Sequence, residues 1–350
     1  MLGNPLQTTE NRSSASWKAV STMRALLCSR LGDPSVLELV DMEPPAPKPG
    51  EIGVRVRAAA LNFPDVLMVA GGYQLKPPLP FIPGIEACGE VVALGEGAAG
   101  HRVGDRVIFG KRFGAFAEQV TLPAADARPL PTGWSFAEGA AFAVGYKTAY
   151  HAIVQRGQLK PREVLLVHGA SGGVGLAAVE LGKLIGARVI ATGSDDERLE
   201  TVRRKGADFV INYRDTPFWQ SVKDVTDGHG ADVIYDPVGG DVFDQSLKCI
   251  AWNGRILLIG FTSGRIATLP TNIALIKGFS VIGVRAGEAV RRDPQVGIEY
   301  NRELWRMADE GRIRPHVSHV LPLEKWVEAM ALLTDRKVVG KAVLDLGGAL

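Results

Sequence analysis

The chain has 350 residues, 46% of them hydrophobic and 22% charged, a composition typical of a soluble globular protein with about two domains. Its 40 Lys and Arg residues nearly balance 38 Asp and Glu residues, and the two signs alternate without a basic stripe. This pattern argues against a nucleic-acid partner. Three well-separated cysteines argue against a disulfide framework and favour a cytoplasmic location. No continuous run of about 20 apolar residues is present, so we expect no membrane span.

Residues 1–22 are polar and rich in serine and threonine. They lack the apolar core of a signal peptide and the arginine density of a transit peptide. We expect a disordered leader here.

Short strands separated by Pro/Gly clusters are predicted from residue 23 to about residue 123. The strands are expected at 24–29, 53–60, 89–94, 105–109 and 115–122. Because no helical pattern separates them, we expect an antiparallel β assembly. Ser135 then caps a predicted helix over 136–155.

From residue 163 the pattern changes to continuous apolar runs that alternate with amphipathic helices, which is typical of buried parallel strands. Strands are predicted at 164–169, 188–193, 209–212, 233–239, 255–260 and 280–284, with helices near 175–185, 198–205, 219–227 and 242–250. Six such strands with five connections indicate a doubly wound parallel sheet of the Rossmann type. The remaining chain predicts a helix (298–309), a strand (316–322), a helix (323–334) and a strand (341–346) that return to the first domain.

The segment 164–182, VLLVHGASGGVGLAAVELG, contains the strongest functional motif. Ala170, Gly172 and Gly175 form an A-x-G-x-x-G pattern between a strand and a helix. Small residues there allow the tight turn, close backbone approach to a pyrophosphate and close helix–strand packing. The helix N-terminus favours the phosphate charge. We therefore expect dinucleotide binding, rather than a merely flexible turn.

The end of the second strand of this unit decides between the two nicotinamide cofactors. Enzymes that use NAD normally have an acidic residue there for the ribose hydroxyls, but this chain has Gly193. The absence of an acidic residue favours NADPH over NADH, with Ser194 and Arg198 as partners of the 2′-phosphate. Alternatively, Arg198 could be a solvated residue on the helix surface. The nearby acids at 195–197 are explained by a capping box from Ser194 to Glu197.

Taken together, eight segments resemble the zinc-independent quinone oxidoreductase family, which includes zeta-crystallin, of the medium-chain dehydrogenases/reductases. They are ALNFPDVLMVAGGYQ (60–74), PGIEACGEVVALG (83–95), VGDRV (103–107), YKTAY (146–150), GASGGVG (169–175), GADFVINYR (206–214), DPVGGDVF (236–243) and GRILLIGF (254–261). The resemblance implies a GroES-like β-rich catalytic domain (23–144 and 286–350), an inserted Rossmann domain (145–285) and a homodimer.

The resemblance also implies site residues. The active-site segment would contribute Tyr73, Asn62 and Asp65. The cofactor-binding residues would be Thr148, Ala170, Ser171, Gly172, Gly173, Val174, Gly175, Gly193, Ser194, Arg198, Tyr213, Gly260 and Phe261. Leu67 stands where the family often has a second aromatic residue, which leaves the preference for quinones open.

We expect no metal. Zinc-dependent relatives use a cysteine and a histidine where this chain has Asn62 and Ile85, and asparagine and isoleucine do not replace thiolate and imidazole. The predicted reaction is hydride transfer from NADPH to a quinone or enone, with negative charge stabilised by Tyr73, Asn62 and solvent. Alkene or enoyl reduction and a non-catalytic NADPH-binding role remain alternatives, because Tyr73 could be a turn aromatic and Asn62 a strand-end cap.

Overall fold

The computed structural model describes residues 22–214 and 216–347. The expected disordered leader lies almost wholly outside these residues and stays a prediction. Within the described part of the chain, no helix is both long and apolar enough to cross a membrane.

The N-terminal region consists of short strands and one short helix. It contains β1 (Met23–Leu27), β2 (Glu38–Met42), β3 (Glu51–Ala60), α1 (Phe63–Val69), β4 (Glu86–Leu94), β5 (Arg106–Gly110), β6 (Gln119–Pro123) and β7 (Arg128–Pro129). The pairs β3–β4, β3–β6, β4–β5 and β5–β7 are all antiparallel, as the pattern predicted. Helix α1 was not predicted, although Asn62 at its N-cap, Pro64 in its first turn and Asp65 at N3 are strong helix-start signals.

The helix predicted over 136–155 is broken into three pieces. These are α2 (Phe136–Ala140), α3 (Ala143–Tyr150) and a π-helical segment (His151–Arg156). Because a second helix begins at Ala143, the backbone N–H of Val144 is free to donate to the buried Glu86 carboxylate on β4, at 2.7 Å. The break therefore lets the N-terminus of α3 bind β4.

The second domain is built on a six-stranded sheet in which every pair is parallel. Its elements are β8 (Val164–Val167), α4 (Gly173–Ile185), β9 (Arg188–Gly193), α5 (Asp196–Arg204), β10 (Phe209–Asn212), α6 (Phe218–Val225), β11 (Ala231–Asp236), α7 (Gly240–Cys249), β12 (Ile250–Leu258), α8 (Thr271–Lys277) and β13 (Ser280–Gly283). The order β10-β9-β8-β11-β12-β13 is that of the doubly wound fold, so this prediction is confirmed.

Successive residues of β8 pack on opposite faces of this sheet. Leu165 and Val167 belong to the core that faces the first domain, whereas Val164 and Leu166 belong to the core beneath the helices of the other face. All four are buried, which explains the continuous apolar run in the sequence. The strand order reverses between β8 and β11, and the carboxyl ends of these strands form the crevice where such sheets bind ligands.

The chain then returns to the first domain as α9 (Ala286–Arg292), α10 (Pro294–Asp309), β14 (Val317–Pro322), α11 (Trp326–Thr334) and β15 (Lys341–Asp345). β15 pairs antiparallel with β3 and parallel with β14, giving a seven-stranded sheet. The predicted return of the C-terminal elements is confirmed.

Candidate active site

The loop between β8 and α4 has the geometry of a phosphate-binding turn. Gly169 has a positive φ of 53°, and α4 begins at Gly173 without an acidic residue in its first turn. A Cβ on Gly175 would lie 2.4 Å from the carbonyl oxygen of Gly169, so only glycine permits this packing. Ala170 is fully buried beneath the turn. The predicted motif therefore forms a close strand–loop–helix junction with free helix N–H groups at its tip.

The end of β9 lies beside this loop. Gly193 is buried, and the backbone N–H of Tyr213 donates to its carbonyl at 3.0 Å. The helix cap differs from the predicted Ser194 box by one residue, because Asp195 is the N-cap of α5 and its carboxylate accepts from the N–H of Arg198 at 3.0 Å. One acid is thus engaged in capping, and the Asp196 carboxylate accepts from the Asn212 amide.

Arg198 has a neighbour that the sequence analysis did not identify. Its guanidinium donates to the backbone carbonyl of Arg336, and the guanidinium of Arg336 donates to the carbonyl of Thr262 at 3.2 Å. Arg336 has a positive φ of 58° in the turn before β15. The Arg198 side chain therefore contacts the backbone of a turn from a distant part of the chain, and Arg336 in that turn links it to the stretch after β12.

The stretch after β12 completes the crevice. Gly260 packs against the Pro237 carbonyl, Thr262 N donates to that carbonyl at 3.1 Å, and the Phe261 ring is 40% exposed. Nearby, the Asp236 carboxylate accepts from the N–H groups of Val238 and Gly239, both at 2.8 Å. Burial raises the pKa of Asp236.

A buried polar cluster lies on the other side of the glycine loop, between β3, β4 and β15. The ammonium of Lys341 donates to Asn62 Oδ1 at 2.6 Å and to Glu86 Oε1 at 2.7 Å. The Asn62 amide in turn donates to Glu86 Oε1 at 3.0 Å and to the Ala60 carbonyl at 3.2 Å. We call Asn62, Glu86 and Lys341 the polar cluster.

Asp65 lies next to the polar cluster and is fully buried. Its Oδ2 accepts from the Asn62 backbone N–H at 2.8 Å, while Oδ1 has no hydrogen-bond partner among the described residues. Burial raises its pKa to about 7, and the nearby Lys341 charge opposes that rise. With this pKa, the Asp65 carboxyl changes from its neutral to its ionised form near neutral pH.

Tyr73 and Thr148 are both half-buried. Tyr73 follows α1, and its backbone N–H donates to the Leu67 carbonyl at 3.2 Å. Its hydroxyl makes no hydrogen bond to another described residue and is available as a donor. Thr148 lies on α3, which packs against the glycine loop so closely that a Cβ on Gly145 would be 3.2 Å from the Gly173 carbonyl oxygen.

The structure thus joins Asn62 to a buried polar cluster and the glycine motif to the end of β9, and it adds three residues that the sequence analysis missed: Glu86, Lys341 and Arg336. Two of these residues could have been found from the sequence, because Glu86 and Lys341 are isolated charged residues at the starts of apolar strands. Charged side chains are rarely buried without a partner, so each indicated a buried partner of opposite charge. The described residues contain no group of three or more His, Cys, Asp or Glu side chains arranged to hold a metal ion.

Comparison with known proteins places this chain in a family. The alcohol dehydrogenase GroES-like domain model matches residues 48–132, and the zinc-binding dehydrogenase model matches residues 173–299. A quinone oxidoreductase-like protein 2 homolog from Nematostella vectensis is 39% identical over 92% of this chain and 88% of the relative. The chain belongs to the quinone oxidoreductase-like family of medium-chain dehydrogenases/reductases. The Mus musculus quinone oxidoreductase-like protein 2 is 36% identical over 92% of both proteins.

Solved structures agree with this family assignment. A Pseudomonas syringae quinone oxidoreductase superposes with a TM-score of 0.85 at 32% identity, over 92% of this chain and 99% of that one. A mycobacterial protein complexed with NADPH superposes with a TM-score of 0.84 at 30% identity, over 92% of this chain and 100% of that one. An NAD-dependent alcohol dehydrogenase has a TM-score of 0.84 and 34% identity, over 93% of this chain and 100% of that one. The JamJ enoyl reductase has a TM-score of 0.81 and 26% identity, over 93% of this chain and 99% of that one. The predicted fold and the prediction of a pyridine-nucleotide oxidoreductase are confirmed.

Proposed function

We propose that this member of the quinone oxidoreductase-like family is an NADPH-dependent quinone oxidoreductase, which reduces a quinone or another conjugated carbonyl acceptor without zinc. The observation that carries the proposal is the polar cluster. Asn62 and Ile85 stand where zinc-dependent relatives have metal ligands, and the side-chain oxygens of Asn62 and Glu86 bind the Lys341 ammonium instead. Without a Lewis acid, an acceptor that delocalises negative charge is the easier substrate.

Three features of the crevice support the proposal of a dinucleotide with a 2′-phosphate. The glycine loop offers free N–H groups at the start of α4, and Gly172 at the N-cap adds no side chain of its own. Gly193 brings no carboxylate to the ribose, while Ser194, Arg198 and Arg336 lie close by. Asp195 and Asp196 already accept hydrogen bonds from the protein, which lowers their repulsion of a phosphate.

The reduced dinucleotide supplies a hydride when it is bound. The glycine loop, Thr148 and the Gly260–Phe261 stretch would hold the two ends of the cofactor, and closure of the cleft excludes water. Tyr73 can donate its free hydroxyl to the acceptor oxygen as negative charge develops. Because both N–H groups of the Asn62 amide are already donated to protein oxygens, we assign Asn62 to holding the cleft wall rather than to binding the acceptor.

The test is NADPH consumption against 1,2- and 1,4-quinones, an enone and an enal, with a simple alcohol plus NADP⁺ as the control. We expect turnover with conjugated acceptors, none with the alcohol, and a preference for NADPH over NADH. Elemental analysis of the active protein should find less than stoichiometric zinc. Tight NADPH binding without turnover on any acceptor would instead support a non-catalytic binding protein.

Alkene or enoyl reduction is the second candidate, favoured by the structural similarity to an enoyl reductase. Both reactions use a conjugated acceptor and differ in the atom that receives the hydride. Analysis of the product separates them, because alkene reduction leaves a saturated carbon–carbon bond and quinone reduction gives a hydroquinone.

We also propose that the protein forms a homodimer through the edge strand β13. β13 ends the parallel sheet among the described residues, and an unpaired strand edge can pair with its own copy about a two-fold axis. Large apolar side chains lie exposed around this edge: Trp252 (68%), Ile266 (70%), Leu275 (82%) and Ile276 (68%). Light scattering should give twice the monomer mass, and Leu275→Asp should give a monomer.

A further inference from the structure

Lys341 is a charged side chain held inside the protein by partners from distant parts of the chain. Only 8% of its side chain is exposed, and its partner Glu86 is fully buried. A buried ion pair contributes little net stability, because desolvation offsets the attraction between the charges. The position of Lys341 therefore suggests a role besides stabilisation.

On the cofactor side, the segment that carries Lys341 rests directly on the phosphate-binding loop. The backbone N–H of Gly340 donates to the Ser171 carbonyl at 2.7 Å, and Gly340 forms a β-bridge with Gly172. The aliphatic part of Lys341 covers Gly173 so closely that a Cβ there would lie 2.6 Å from Lys341 Cδ. Displacement of the loop would consequently displace Lys341.

On the acceptor side, the same segment holds the start of α1. The Lys341 ammonium binds the side chain of Asn62, which is the N-cap of α1, and the Ala342 carbonyl accepts from the Leu61 N–H at 2.9 Å. α1 leads to Tyr73, whose N–H donates to the Leu67 carbonyl. A continuous series of contacts thus runs from the glycine loop to the residue assigned as donor.

We propose that Lys341 is a positioning residue that couples occupancy of the phosphate-binding loop to the order of α1 and Tyr73. The acceptor pocket is then complete only when the dinucleotide is bound. The kinetic part of this inference rests on the proposed reductase activity. The structural part requires only dinucleotide binding, and each part has its own experiment.

The kinetic experiment uses two variants. Lys341→Met keeps the aliphatic contact with Gly173 but leaves the Glu86 carboxylate without its ammonium partner. The double variant Lys341→Met/Glu86→Gln removes both charges and keeps an oxygen for the Val144 N–H, so it remains testable if the single variant fails to fold. Lys183→Met is the control, because Lys183 on α4 forms a surface ion pair with Asp208 at 2.7 Å.

We expect both Lys341 variants to bind NADPH within about threefold of the wild-type Kd and to lose at least about tenfold in kcat, a typical size for coupling between sites. Lys183→Met should change neither value. A double variant with wild-type kcat would overturn the proposal, since Lys341 would then serve only to neutralise Glu86.

The structural experiment is hydrogen exchange with and without NADPH, and it needs no turnover. In the wild type, NADPH should slow exchange in peptides covering 169–176 and also 61–69. In the double variant it should slow exchange only in 169–176. Equal protection of 61–69 in both proteins, or none in the wild type, would refute the coupling whatever the substrate proves to be. Absence of turnover in the wild type, with the expected exchange pattern, would count against the proposed reaction alone.

Discussion

The two sides of the active-site cleft are built in opposite ways. The glycine loop is made of backbone from one continuous segment, and its packing depends on the absence of side chains at Gly173 and Gly175. The polar cluster is made of three side chains, Asn62, Glu86 and Lys341, whose positions are 24 to 279 residues apart along the chain. We therefore expect the glycine loop to lose cofactor affinity when a side chain is added to it. We expect the polar cluster to lose stability when one of its charged side chains is removed.

The largest effect should follow from removing one charge of the polar cluster. Glu86→Ala leaves the Lys341 ammonium buried without its carboxylate, which we expect to lower the free energy of unfolding by about 3–5 kcal/mol. Glu90→Ala on the same strand is the control. Glu90 pairs with Arg57 at 2.6 Å but about a third of its side chain is exposed, so the loss should be below about 1 kcal/mol. Denaturant titration measures both, and equal losses would contradict the comparison.

Asp65→Asn tests the same region through pH. Because burial raises the pKa of Asp65 to about 7, the folded protein binds this proton more tightly than the unfolded chain. Below pH 4, Asp65 therefore does not lower the free energy of unfolding. As the pH rises to about 7, it lowers the free energy of unfolding by an increasing amount. We expect Asp65→Asn to be neutral at pH 4 and to stabilise the fold by about 2–4 kcal/mol at pH 8.

Thermal melts across this pH range measure the difference between wild type and Asp65→Asn. A stabilisation that does not grow with pH would show that burial does not raise the pKa of the Asp65 carboxyl. Turnover should persist in this variant, because Asp65 contacts the Asn62 backbone and is not placed to transfer a proton to the acceptor.

Adding a side chain to the glycine loop should weaken NADPH binding. Gly175→Val places atoms against the Gly169 carbonyl and the Ala170 backbone, and overpacking of this kind costs about 1–3 kcal/mol. We expect NADPH affinity to fall by about 100-fold, equivalent to about 2.7 kcal/mol. Gly287→Ala on α9 is the matched control, since its new Cβ would meet only Arg291 at 3.6 Å. Fluorescence titration with NADPH compares them.

The smallest effect concerns cofactor choice at the rim of the crevice. Arg198→Ala should raise the Kd of NADPH by about tenfold, the loss of one charge-assisted hydrogen bond, and leave the Kd of NADH unchanged. Arg203→Ala on the same helix is the control, because Arg203 is exposed and pairs only loosely with Glu200 at 3.5 Å. An equal loss for both cofactors would assign Arg198 a structural role.

Local sequence determined the parts of this protein that depend on neighbouring residues. The apolar runs of the parallel strands, the strand–glycine–helix motif at 164–182 and the missing acid at Gly193 were all readable, because each depends on residues within one or two elements. Helix α1 was equally readable from N-F-P-D at 62–65 but was not predicted, since the surrounding strands dominated the pattern. The cap of α5 was misplaced by one residue for a similarly local reason, because Ser194 and Asp195 both suit an N-cap.

Tertiary structure alone decided the side-chain half of the site. Nothing in the sequence near Lys341 indicates that its ammonium binds Asn62, because the two meet only when β15 pairs with β3. The break before α3 has the same origin, since Val144 gains its partner only when β4 brings Glu86 to it. Arg336 likewise reaches Arg198 only through the return of the C-terminal chain. A buried charge is stable only beside its partner, so the pairing of β15 with β3 and β3 with β4 fixes where the charges of the polar cluster lie.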